Sequence, residues 1–140
     1  MQVARPLPTV IGLAENALRA LLTKILSTTR IKTYPAWVIL NAASNADATA
    51  SSGHWQLAVA DALKVQLGEL NDVLAQLRAA GLVSNDGSLT ALGASELAAG
   101  RSAVSAATSL LVDGIDAEEQ TTARLVLDHV RGRAEELLRL

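Results

Sequence analysis

The chain has 140 residues, half of them hydrophobic, with a formal charge of −2 and a pI of about 5.6. It has no cysteine, no Phe, one Tyr and two Trp. That excludes disulfides, thiolate metal sites and cysteine nucleophiles, and it lacks the strongly basic balance of a charge-driven nucleic-acid binder. The apolar material is mostly Leu, Ala and Val; Leu and Ala are good helix formers and strand formers are few. A mainly helical, all-α single domain over 1–140 is therefore expected. Met1 to Pro8, with one Arg ahead of an amphipathic stretch, does not read as a signal peptide. No run of about 18 apolar residues occurs, so a cytoplasmic setting is expected.

Pro8 to Leu26 places Val10, Ile11, Ala14, Leu18, Leu21, Leu22 and Ile25 at helical spacing. Thr33 and Pro35 open a second helix, since Pro costs nothing in a first turn. That helix fades in Ser44-Asn45-Ala46-Asp47, and Ala48 to Gly53 reads as a loop or weak helix. Trp55 to Leu63 predicts a short helix, Lys64-Val65 a turn, and Leu67 to Ala80 another helix stopped by Gly81. Asn85-Asp86-Gly87 between Leu82-Val83 and Ser88-Leu89 predicts a two-stranded β-hairpin, because Gly tolerates positive φ. Thr90 can cap the next helix, which runs to about Val112. Asp113-Gly114 breaks it, and Asp116 with Glu119 makes a capping-box-like start to the last.

Two short helices across a tight turn, then a hairpin, form a winged helix-turn-helix pattern. Val59-Ala60-Asp61-Ala62-Leu63-Lys64-Val65, then Leu70, Leu74, Leu77 and Arg78-Ala79-Ala80-Gly81-Leu82-Val83, resembles the core of the MarR family (multiple antibiotic resistance regulators). Leu89-Thr90-Ala91-Leu92-Gly93 is similar to that family's entry into its long helix, and Gly114-Ile115-Asp116-Ala117-Glu118-Glu119 to the entry into its last. The resemblance covers nearly the whole chain. It implies a winged helix over about 53–90 and dimerisation helices over about 8–28 and 91–140. It also implies a homodimer that presents two winged helices to double-stranded DNA. The apolar terminal helices point to self-association independently, because so small a chain covers long apolar helices at both ends poorly.

The reading surface departs from the family pattern. From Gly53 to Gly100 there are two basic residues, Lys64 and Arg78, against five acidic ones, Asp61, Glu69, Asp72, Asp86 and Glu96. Gln66 and Asn71 can contact adenine, and Glu69 can accept from cytosine. Lys64 and Arg78 can contact phosphates, while Glu69 and Asp72 would repel them. The wing is short, and no Arg follows Asp86 where the family carries an acidic-x-Arg element. Two readings stay open. One is a ligand-responsive DNA-binding transcription regulator. The other is a MarR-fold protein that has lost DNA binding and instead binds or converts a small aromatic or apolar molecule.

Arg30, Tyr34, Trp37, Asn41, His54 and Trp55 lie close in sequence and are the candidate ligand-binding residues. The resemblance implies a small-molecule cleft, often for aromatic acids, between winged helix and dimer helices. There a flat ring could stack on Tyr34 or Trp37, and Arg30 could pair a carboxylate. The opposing reading of each Trp is a core anchor for a short helix. His54, Tyr34 and Asp61 are the available acid–base groups for any chemistry in the cleft, but no spacing demands a catalytic constellation. Two His without Cys argue against a metal, and no phosphate-cradling Gly-rich loop is present. No cofactor and no membrane partner are expected.

Overall fold

The computed structural model describes residues 4–49 and 55–140. Six helices follow in order: α1 (Leu7–Leu26), α2 (Tyr34–Thr49), α3 (Trp55–Leu63), α4 (Leu67–Ala79), α5 (Ala91–Leu111) and α6 (Ala117–Leu138). The chain divides into two compact units, Met1–Ser105 and Ala106–Leu140, with the boundary inside α5. No described helix is long and apolar enough to cross a membrane.

The first unit holds the core. Leu26 of α1, Ile39 and Leu40 of α2, Val59 of α3, Leu70, Leu74 and Leu77 of α4, and Leu97 of α5 are buried with Ile31, Leu82 and Val83. Leu70, Leu74 and Leu77 recur at three to four residues along α4, so one face enters the core while the other carries the polar residues. Leu22, Trp37, Val38, Trp55 and Leu89 pack around the edge.

Local chemistry sets the boundaries. Thr33 Oγ1 accepts from the Ala36 amide at 3.3 Å, which caps α2. α2 runs to Thr49, past the start of the predicted loop, and the remainder of that loop lies outside the described residues. α3 and α4 both end in paired 6→1 and 5→2 hydrogen bonds: Val65 to Ala60 with Lys64 to Asp61, and Leu82 to Leu77 with Gly81 to Arg78, all at 3.0 Å. The left-handed residue is Gly81 (φ 79°) in the second case and Lys64 (φ 56°) in the first. Thr90 accepts from the Gly93 amide at 2.9 Å and starts α5. Asp116 accepts from the Glu119 amide at 2.8 Å and starts α6.

The predicted two-stranded hairpin is reduced to a single antiparallel bridge, Val83 to Leu89, and no longer strand occurs among the described residues. The flanking residues are already committed: the Leu82 amide closes α4, and the Thr90 side chain opens α5. What remains is a three-residue loop, Asn85-Asp86-Gly87, with the Ser84 amide on the Ser88 carbonyl at 2.9 Å and Gly87 at φ 87°.

The second unit consists of the end of α5 and α6. α6 has no buried residue, and Leu125, Leu137 and Leu138 are 67%, 67% and 72% exposed. On α1, Leu7, Val10, Leu13 and Leu18 are likewise exposed.

Candidate functional site

The turn between α3 and α4 is closed by Lys64 in the left-handed region, a conformation in which a residue with a Cβ is uncommon. Its ammonium lies 3.3 Å from Asp61 Oδ1. α4 then starts on Gln66, whose extended backbone makes the N-cap without a side-chain bond, so its amide group stays exposed at the helix mouth. Glu69, Asn71 and Asp72 follow on exposed positions. At the other end of α4, Arg78 donates from Nε to the Ser84 carbonyl at 3.3 Å, which braces the wing loop against the helix. The expected DNA-facing residues Lys64, Gln66, Glu69, Asn71 and Arg78 therefore all sit on α4 or the turns at its two ends, and all are exposed.

The wing loop is organised around Asp86. Its carboxylate accepts from the Ser88 hydroxyl at 2.6 Å, from the Ser88 amide at 3.0 Å and from the Ser84 hydroxyl. Hydrogen bonds from Ser84 and then Ser88 favour the ionised form and hold the carboxyl pKa down to about 2.

A cavity of about 250 Å³ opens beside α4, lined by Arg19 of α1, Tyr34 and Pro35 of α2, Leu63, Val65, and Glu69, Leu70 and Val73 of α4. The Arg19 guanidinium lies over the Tyr34 ring, 5.1 Å from its centroid, and pairs with Glu15 one turn earlier. Of the expected ligand residues, Tyr34 lines this cavity; of the expected reading residues, Glu69 does. Arg19, Leu63, Val65 and Val73 were not among the candidate site residues named from the sequence.

The other described ligand candidates are engaged elsewhere. Trp37 packs against Gly100, where an added Cβ would lie 3.0 Å from its Cζ3. Asn41 donates to the Trp37 carbonyl at 2.8 Å and accepts from Arg101 Nε at 2.9 Å, joining α2 to α5. Arg30 reaches Glu96 at 3.8 Å. Trp55 lies on Gly87 of the wing loop. His54 lies outside the described residues. Asp61 is exposed, with its carboxylate on Lys64, and Tyr34 carries the cation of Arg19.

No family model and no curated protein matches the chain. Solved structures do. The Mycobacterium tuberculosis MarR family protein Rv2887, in complex with DNA, is similar with a TM-score of 0.71 and 25% identity over 91% of this chain and 98% of its own. The transcriptional regulator PA3341 is similar with a TM-score of 0.77 and 23% identity, over 94% of this chain and 99% of its own. The reduced form of MarR from E. coli gives a TM-score of 0.67 and 24% identity, over 91% and 95%. These likenesses span the winged helix and the flanking helices together, and the chain has the fold of the MarR family.

Proposed function

We propose that the chain is a homodimeric, ligand-responsive DNA-binding transcription regulator working in the cytoplasm. The supporting observation is the likeness in fold, over about nine-tenths of the chain, to MarR-family structures, one of them a complex with DNA, together with an exposed polar face on the helix that follows the α3–α4 turn. On this reading α4 enters the major groove from its N-terminal end. Gln66 and Asn71 read base edges, and Lys64 and Arg78 hold phosphates. The wing is the loop braced by Arg78 and Asp86. α1 and α6, whose apolar side chains are left exposed, form the interface with a second copy. Salicylic acid occurs in a second structure of the tuberculosis protein, and a small molecule in the present cavity would act by changing the separation of the two reading helices.

A second reading has its own support in the acidic surface. Glu69 and Asp72 lie on α4, and Lys64 is engaged by Asp61. On that reading the fold keeps its cavity and no longer binds DNA. Selection of bound genomic fragments at low salt separates the two. Recovery of a palindromic site that Gln66→Ala and Asn71→Ala both weaken establishes the regulator. No enrichment at any salt concentration overturns it.

A further inference from the structure

The cavity beside α4 has two charged groups, and their situations differ. Arg19 is already satisfied twice, by the carboxylate of Glu15 and by the face of Tyr34. Glu69 has no side-chain hydrogen bond or ion pair among the described residues. The remaining walls, Pro35, Leu63, Val65, Leu70 and Val73, are apolar. An entering carboxylate would have to compete with Glu15 for Arg19 and would face the Glu69 charge. An entering cation would find in Glu69 a carboxylate without a partner among the described residues, while the Arg19 charge across the cavity is already offset by Glu15 and by the Tyr34 face, which Arg19 occupies.

We infer that this cavity takes a small amphiphilic cation: one aromatic ring bearing a protonated amine, its ring against Leu63, Val65 and Val73 and its ammonium on Glu69. The inference rests on reading the cavity as the ligand site of the proposed regulator. Its polarity is opposite to that of salicylic acid, the ligand of the tuberculosis neighbour. Size agrees as well. Cavities for drug-sized ligands run from roughly 300 Å³ upward, so about 250 Å³ suits a single ring with a short arm.

The test is calorimetric titration of the full chain, without DNA, at about pH 7, where an alkyl ammonium is protonated and a carboxylate ionised. The probes are 2-phenylethylamine and its anionic counterpart 3-phenylpropionate. The amine is expected to bind about tenfold more tightly than the acid, the range of one charge-assisted contact. Glu69→Gln is expected to remove that preference, and Glu69→Asp to keep it at lower affinity. Asp72→Asn changes the same charge on the same helix outside the cavity lining and is expected to leave the preference intact. Equal binding of both probes, tighter binding of the acid, no binding of the amine, or an equal loss in Asp72→Asn would overturn the inference. Because no DNA is present, failure to find an operator bears on the regulator reading alone, and failure of the amine bears on the cavity alone.

Discussion

A methyl group on Gly93 would stand 2.0 Å from the carbonyl oxygen of Leu82 and 3.0 Å from its carbonyl carbon. Those are backbone atoms of the segment that closes α4, so nothing can rotate aside. Gly93→Ala is therefore expected to cost about 2–4 kcal/mol, read as a lowered urea midpoint at unchanged slope. Gly100→Ala meets the Trp37 ring at 3.0 Å, a side chain that can shift; its cost should be smaller and should come with altered Trp fluorescence. Asp86 gives a pH dependence. Its carboxyl is held at about 2, below the ordinary 3.8. Its contribution to the wing loop is thus complete above the ordinary value and fades as pH falls through the folded one. The Ser88 amide resonance should be constant at mildly acidic pH, through the ordinary carboxyl range, and move only as pH falls toward about 2. Asp86→Asn should abolish that titration; a transition near pH 6 would contradict the account.

At the scale of the helix, the α3–α4 turn sets stability against reading. Lys64 occupies the left-handed position that the equivalent turn after α4 gives to Gly81. Lys64→Gly should stabilise the fold by about 0.5–1 kcal/mol through relief of that strain. It should also weaken DNA binding, because the proposed phosphate contact is removed. A variant that is less stable would argue against the strain. The elements themselves were legible because their signals are local: Thr33, Thr90 and Asp116 cap from within three residues, and Gly81 stops α4 as its type requires. The hairpin was over-read, since a turn signature does not reveal that the Leu82 amide is spent on closing α4 and the Thr90 side chain on opening α5. The cavity was legible only through Tyr34 and, as a reading residue, Glu69. The meeting of Arg19 with Tyr34, of Trp55 with Gly87 and of Trp37 with Gly100 depends on packing between separate segments of the chain, which no periodicity encodes.

For the molecule as a whole, α6 poses the main energetic problem. A 22-residue helix with no buried residue gains little from side-chain burial within its own chain, although packing supplies most helix stability in proteins. The proposed homodimer would answer that, with a second copy covering the exposed leucines of α6. Sedimentation is expected to give twice the 14.6 kDa chain mass, and Leu125→Asp with Leu138→Asp should return it to a single chain with lost helicity. A wild-type monomer at micromolar concentration would overturn the homodimer. The proposed dimer would also limit how DNA can be held. With Lys64 and Arg78 as the phosphate contacts of each protomer, a dimer neutralises about four phosphates, so the log–log salt slope should lie near −4, well short of the roughly −10 of strongly electrostatic repressors. Asp72→Lys, which replaces a repelling charge with an attracting one on the same helix, should raise affinity and steepen the slope. A wild-type slope near −10 would mean that cations outside α4 and its turns carry the contact.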